Sequence, residues 1–138
     1  MSLKDKEKWN SKYEADEYIT GKEPSRWLED NAGLLAKSGK ALDIAGGEGR
    51  NSVFAASKGY EVTCLDISEN GLRKAQALAQ EKNAKITTVL ADLDSNSLKG
   101  NEYDLILCFN FLERSLFSGI HQALKPGGLL FYETFTVD

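Results

Sequence analysis

Five short, almost continuously apolar runs divide the chain: Ala41–Ala45, Glu61–Asp66 (EVTCLD), Lys85–Leu90, Tyr103–Phe109 (YDLILCF) and Leu129–Phe135 (LLFYETF). Their length and lack of alternation fit parallel strands covered on both faces. Between them, apolar positions recur at helical spacing. Pro24 suits the first position of a helix running to about Ala36, with Trp27, Leu28, Leu34 and Leu35 on its apolar side. Val53, Phe54 and Ala56 face inward on a helix from Arg50 to Lys58, which Gly59 stops. Ser68 caps a helix reaching about Lys82, Glu69 favours its first turn, and Leu72, Ala75, Leu78 and Ala79 form its inner face. Leu116, Phe117, Ile120, Ala123 and Leu124 mark another, broken by Pro126-Gly127-Gly128. In the polar first twenty residues, Trp9 and Tyr13 lie four apart, on one face of a short helix. Strand and helix alternate, which predicts an α/β fold: a doubly wound parallel sheet of about five strands, helices on both faces, and an N-terminal helical segment. One domain is expected over residues 1–138, with 1–38 as a helical cap and 39–138 as the core.

In such a sheet, ligands sit beyond the C-terminal strand ends where the winding reverses. The chemistry-bearing residues fall at those ends. After the first strand comes the glycine-rich turn of ALDIAGGEGRN, Ala41 to Asn51, and a helix opens at about Arg50 or Asn51. Gly46, Gly47 and Gly49 permit positive φ and close approach of a ligand to the backbone. Asp43, two residues before that turn, offers a carboxylate to a positive or donor-rich ligand. Asp66 ends the second strand, Asp92 follows the third and Asn110 follows the fourth. Four ends converging on one crevice favour a nucleotide-type cofactor over a plain loop. A dinucleotide site calls for G-x-G-x-x-G, and here Gly47 and Gly49 are followed by Ser52. Asp66 suits a ribose hydroxyl in a dinucleotide or an adenosyl ligand, and Asp92 suits the amino group of an adenine.

Composition narrows the classes. Hydrophobic residues are 41% and charged residues 28% of 138, with a net charge of -4. An acidic balance argues against non-specific nucleic-acid binding. No apolar run approaches the roughly 18 residues of a membrane span, and the N-terminus MSLKDKEKWN lacks the apolar core of a signal peptide. The expected location is cytoplasmic. Cys64 and Cys108 sit inside strand runs. With the first strand between the second and fourth they stand about 9.6 Å apart, beyond the roughly 7 Å a disulfide spans. They are expected to be reduced packing residues. A single histidine, His121, leaves no zinc-site pattern.

These residues carry a resemblance. The chain resembles class I S-adenosylmethionine-dependent methyltransferases, and more narrowly their tellurite-resistance and thiopurine-methyltransferase-like branch. The matching pieces are Trp9 and Tyr13 before Gly21 and Pro24-Ser25, then LDIAGGEGRNSVFAASKGYEVTCLDIS from Leu42 to Ser68. LADL from Leu90, YDLILCFNFLE from Tyr103 and LKPGGLLFYETF from Leu124 continue it. The resemblance implies a Rossmann-like fold, S-adenosyl-L-methionine as cofactor with S-adenosyl-L-homocysteine as product, and a small-molecule methyl acceptor. It implies that the turn from Asp43 through Ala45, Gly46, Gly47 and Gly49, with Asn51, faces the methionine part. Asp66 would accept from both ribose hydroxyls, with Ile67 against the adenine. Asp92 would accept from the adenine amino group, and Leu93 would add a backbone contact. Asn110 and Phe111 would line the methyl-transfer side, and Trp9 and Tyr13 would help close the site. No catalytic base is singled out. Ala45 stands where the family usually has glycine, and alanine is small enough to keep the turn. Family members also continue past the fifth strand with a helix and two strands that shape the acceptor pocket, whereas this sequence stops at Asp138. The fifth strand is therefore expected at a sheet edge, open to self-association; a fragment or a trimmed pattern are the other readings. Two further classes compete: a catalytically silent cofactor-binding module, and a NAD-dependent oxidoreductase.

Overall fold

The structure, a computed structural model, describes residues 3–91, 98, 100, 102–109, 111 and 114–134. Five parallel strands, β1 Gly39–Ile44, β2 Tyr60–Asp66, β3 Ile86–Leu90, β4 Tyr103–Phe109 and β5 Leu124–Glu133, lie in the order β3-β2-β1-β4-β5. The chain leaves β1 toward β2 and β3, then returns to the other side of β1 with β4. The winding therefore reverses beside β1, and the crevice of a doubly wound sheet opens there. Register sets its floor: Asp43 is level with Cys64 and Leu107, and Ile44 with Leu65 and Cys108.

Among the described residues there are five α-helices: α1 Leu3–Lys12, which packs on α4, and α2 Arg26–Asp30, α3 Arg50–Ser57, α4 Glu69–Glu81 and α5 Phe117–Ala123, which cover the sheet. Successive side chains of a strand point to opposite faces, and β1 divides accordingly. Ala41 joins Leu28, Val53, Leu72 and Leu78 of α2–α4 in one core, while Leu42 and Ile44 join Ile120 and Ala123 of α5 in the other. Leu105 to Cys108 are wholly buried. The edge strands differ. Val89 and Leu90 of β3 and Leu130 of β5 are exposed, so continuous apolarity reports double cover for β1, β2 and β4 but not for β3 and β5. Cys64 and Cys108 are free, buried and in opposite cores, which separates them further than strand spacing alone.

Two elements depart from the sequence reading. The helix expected from Pro24 to Ala36 is only α2, followed by a 3-10 turn at Ala32–Leu34. Asn31 ends it, donating its side-chain Nδ2 to the Trp27 carbonyl at 2.8 Å. Asn31 and Gly33 both propagate a helix poorly. Pro126-Gly127-Gly128 does end a helix, as expected, but it does so from inside β5. The pairing steps from Tyr103↔Leu124 to Leu105↔Leu129, so these residues form an irregularity in the strand. A proline without an N–H and Gly127 at φ +82° suit such a bulge.

The N-terminal segment is fastened to the core through a buried ion pair. Lys74 Nζ on α4 lies 2.9 Å from Glu48 Oε2, and their side chains are 8% and 0% exposed. Glu48 also accepts from the backbone N–H of Ile19 (3.2 Å) and Thr20 (3.0 Å) and from Thr20 Oγ1 (2.9 Å). Lys74 donates to the Glu17 carbonyl at 2.6 Å, and Tyr18 OH donates to the Lys74 carbonyl at 2.7 Å. Burial alone would raise the Glu48 carboxyl, yet Lys74 and the Thr20 and Ile19 donors hold it below the ordinary glutamate range. Asn10 adds a second tie, accepting from Ser68 Oγ and the Asn70 N–H at 2.9 Å each. Breaking a buried ion pair by removing one partner costs about 3–5 kcal/mol, because the other charge stays buried and unpaired. Lys74→Met is expected to lower stability by that amount in urea unfolding, and Glu48→Leu added to it should recover part of the loss. A Lys74→Met protein as stable as wild type would show that the pair does not hold the segment down.

Candidate functional site

The site begins where β1 stops. Ala45 to Gly49 turn the chain and Arg50 opens α3. Ala45 has φ +56°, a left-handed conformation that costs a residue with a β-carbon about 1–2 kcal/mol. The turn holds it there by hydrogen bonds from Gly46 N–H to the Leu65 carbonyl and from Gly49 N–H to the Gly46 carbonyl, both 3.0 Å. This strain is the physical reason a glycine suits that position. The other glycines answer to the protein's own packing. A β-carbon on Gly46 would collide with Cys64 Sγ, and one on Gly49 would sit 2.6 Å from Ala75 Cβ of α4. Gly49 therefore admits α4 rather than a ligand, while Gly46 and Gly47 border the crevice.

Two carboxylates stand behind this turn. Asp66, at the end of β2 and 4% exposed, accepts from Gly47 N–H at 3.2 Å on Oδ1 and from Ser68 N–H at 3.0 Å on Oδ2. Each oxygen keeps a further lone pair. Burial raises the Asp66 carboxyl to about 6, against the pull of these backbone donors. Asp43 is 2% exposed and accepts from Ser52 Oγ at 2.7 Å. Burial raises it to about 7, with Asp66 adding to the rise and Ser52 and Arg50 opposing it. Ser52 occupies the place of the missing third glycine, and its hydroxyl is spent on Asp43.

The crevice in front of these carboxylates brings together Trp9, Tyr13, Asp43, Ala45, Gly46, Gly47, Asn51, Asp66 and Phe111 of the residues expected there. Tyr13 follows α1 and stacks on Trp9, with ring centroids 5.7 Å apart. It is 6% exposed, and a β-carbon on Gly47 would lie 2.7 Å from its hydroxyl. Its phenol is raised above the ordinary tyrosine range by burial, then by Asp66 and Glu48. Asn51 turns its Oδ1 to the Ser25 N–H at 2.7 Å, so part of its side chain ties down the segment before α2. The Phe111 carbonyl is fixed by Tyr132 OH at 2.9 Å. Ile67 is buried and does not border the crevice, and Gly49 does not either. Asp92, Leu93 and Asn110 lie outside the described residues. Thr20, Glu48, Arg50 and Phe109 also border the crevice. Phe109 was legible as the last residue of β4, and Glu48 and Arg50 as members of the turn after β1; Thr20 depends on contacts across the fold that periodicity does not encode.

Comparison with known proteins places this geometry. Residues 41–128 match the family described as the methyltransferase domain. The probable S-adenosyl-L-methionine-dependent methyltransferase TehB of Haemophilus influenzae is 34% identical over 89 residues, 62% of this chain and 31% of that protein. The ubiquinone biosynthesis O-methyltransferase of Pseudomonas aeruginosa is 30% identical over 115 residues, 78% of this chain and 48% of that protein. The chain thus spans a third to a half of the length of these curated relatives. Among solved structures, a SAM-dependent methyltransferase from Geobacter sulfurreducens in complex with S-adenosyl-L-homocysteine superposes with a TM-score of 0.72 at 16% identity. It covers 89% of this chain and 53% of its own, a likeness of fold. Phosphoethanolamine N-methyltransferase 2 of Haemonchus contortus, in complex with S-adenosyl-L-methionine, gives 0.63 at 29% identity, with 88% and 30% covered. The expected α/β class and methyltransferase resemblance are both met, and the chain belongs to the methyltransferase domain family, within the class I S-adenosylmethionine-dependent methyltransferases.

Proposed function

We propose that this chain binds S-adenosylmethionine in the crevice at the ends of β1, β2 and β4 and transfers its methyl group to a small-molecule acceptor. The observation that carries this reading is Asp66. It is a buried carboxylate bordering the crevice whose two oxygens each take one backbone donor and keep capacity for another. A vicinal diol is the group that fits two such oxygens. The glycine turn with Asp43 beside it takes the methionine end, Trp9 and Tyr13 cover the crevice, and residues 1–38 act as a cap on the core of 39–138. S-adenosylmethionine supplies a methyl group on a sulfonium centre, open to in-line attack by a nucleophile. The protein's part is to hold and orient by Asp66 and the Ala45–Gly47 turn, and to exclude water by the stacked aromatics. A soft sulfur, selenium or tellurium acceptor needs little help from a base, which agrees with a crevice without histidine among the described residues. The net charge of -4 supports a small acceptor over nucleic acid, and a cytoplasmic setting fits the family. Among the described residues no helix is long and apolar enough to cross a membrane.

A silent binding module is the second reading, and it differs from the first in one result: cofactor binding without turnover over a panel of acceptors. A NAD-dependent oxidoreductase is disfavoured by Ser52, buried and bonded to Asp43 where a dinucleotide turn places its third glycine.

Calorimetric titration with S-adenosylhomocysteine, with NAD as control, tests the site. Asp66→Ala removes acceptors for two charge-assisted hydrogen bonds and is expected to weaken binding by about 1.5–3 kcal/mol. Unchanged affinity in a folded variant would end the ribose assignment. The carboxyls add a pH signature. Both Asp43 and Asp66 titrate higher in the folded state than the ordinary value of 3.8. Between about pH 4 and 7 the native state therefore keeps protons that the unfolded chain has released. From these groups, stability of the ligand-free protein falls as pH rises through that window. A ligand that donates to the ionised forms gains affinity over the same span. The rise in Tm on adding S-adenosylhomocysteine should be larger at about pH 8 than at about pH 5.5; an equal rise would mean that neither carboxylate meets the ligand.

A further inference from the structure

α1 owes little to burial. None of its residues is buried, and so short a helix is marginal without contacts to the rest of the fold. Lys6 and Asn10 join it to α4. Lys6 Nζ lies 3.8 Å from Glu69 Oε1, but the two side chains are 35% and 66% exposed, and such a pair adds little. Asn10 does more. Its Oδ1 accepts from Ser68 Oγ and from the Asn70 N–H, each at 2.9 Å, and its carbonyl accepts from Asn70 Nδ2 at 2.7 Å. Ser68 is wholly buried, and its N–H is one of the donors to Asp66. The helix that carries Trp9 is thus docked on the residue that holds the carboxylate behind the crevice.

The remainder of the segment is held differently. The Tyr13 ring lies between two glycines: a β-carbon on Gly47 would sit 2.7 Å from its hydroxyl, and one on Gly71 2.9 Å from its Cδ2. Residues 17–20 are pinned by the buried Glu48–Lys74 pair. Residues 14–16, between these two anchorages, are exposed and belong to no helix or strand. A hinge needs only a few such residues to absorb the change in φ and ψ. The crevice under this cover encloses about 90 Å³, whereas small-molecule sites run to roughly 300–1,000 Å³. An adenosyl ligand therefore enters only when the cover moves.

We propose that Asn10 is a positioning residue that latches α1, and with it Trp9, over the crevice. Release of this latch, with the chain turning at residues 14–16 on the fixed Glu48–Lys74 anchor, sets the rate at which an adenosyl ligand enters and leaves. The proposal rests on the reading of the crevice as an S-adenosylmethionine site. Asn10 does not border the crevice; it acts through Ser68 and the placement of Trp9. The same latch is broken on the way in and on the way out, so its loss speeds both steps and changes affinity little.

Rapid-mixing and chase measurements with labelled S-adenosylhomocysteine, with Kd from calorimetry, test the latch. Asn10→Ala should raise the association and dissociation rates alike by about 5- to 50-fold, with Kd within about 3-fold of wild type and an unchanged urea midpoint. Asn10→Asp keeps an oxygen that accepts from Ser68 and Asn70 at the start of α4, and should bring both rates back to within about 3-fold of wild type. Amide exchange locates the hinge. The Tyr13 N–H, bonded to the Trp9 carbonyl at 3.0 Å, should exchange faster in Asn10→Ala, and the Ile19 and Thr20 N–H groups, bonded to Glu48, at the wild-type rate. Unchanged rates in Asn10→Ala, a weakened Kd with an unchanged association rate, or an aspartate variant as fast as the alanine one would each overturn the proposal. Faster exchange at Ile19 and Thr20 as well would overturn the hinge, because the whole segment would then lift as one. Folded wild-type protein that binds no S-adenosylhomocysteine would end the reading of the crevice itself, and this proposal with it.

Discussion

The hydrogen bonds from Gly47 and Ser68 to Asp66 tie the end of β1 to the end of β2, and the crevice depends on them. A buried carboxylate needs donors, and here the backbone supplies them from both strand ends. The turn after β1 cannot relax outward without stranding Asp66. Ser68, which completes that clamp, also caps α4 by accepting from the Gly71 N–H at 3.1 Å. The same few residues therefore fix the turn, the start of α4 and the open lone pairs of the carboxylate. Gly49 then lets α4 close on the turn, since Ala75 occupies the space a side chain would need.

The sequence was most legible where one local cause decides the structure. YDLILCF is apolar because β4 is covered on both faces, and its limits, Tyr103–Phe109, agree with the pattern. Ser68 was readable as a cap because a side-chain oxygen there meets a free amide whatever the rest of the fold does. The glycines showed where the turn lies but not what approaches them: Gly46 meets Cys64 and Gly49 meets Ala75, and neither neighbour is near in sequence. Two readings fell short for different reasons. α2 stops early at Asn31, where a local side-chain hydrogen bond and Gly33 oppose its continuation, and β5 begins before the Pro126 break because pairing with β4 overrides a local signal to end.

The N-terminal segment was the least legible part. Trp9 and Tyr13 were recognised by spacing, yet the segment is positioned by Glu48 and Lys74, two charged residues whose pattern reads as surface. Their partners lie far away in the chain, Lys74 reaching Glu17 and Glu48 reaching Thr20. Asn10 reaches across to Ser68 and Asn70 in the same way. Such contacts follow from how α4 lies on β2 and β3, and nothing in the local sequence of residues 1–20 announces them. Lys74 lies 5.5 Å from the centroid of the Tyr18 ring and 5.9 Å from that of Tyr13, so one ammonium serves both the ion pair and the aromatic cover.

The buried carboxyls around the crevice are shifted in opposite directions by their surroundings. Glu48 and Asp43 are both closed off from solvent, but Asp43 is the more deeply enclosed, and its carboxyl rises to about 7 while that of Glu48 lies below the ordinary range. Supply adds to the difference: Glu48 has an ammonium and three further donors, whereas Asp43 has chiefly Ser52. A protein selected for stability alone would fill the Asp43 and Asp66 positions with groups that fold without a penalty at neutral pH. Asp43, supplied chiefly by Ser52 and raised to about 7, is the carboxylate of this crevice whose burial is least offset by the protein's own donors. That imbalance, more than the glycine turn that the fold's own packing already explains, marks this end of the sheet as the working one.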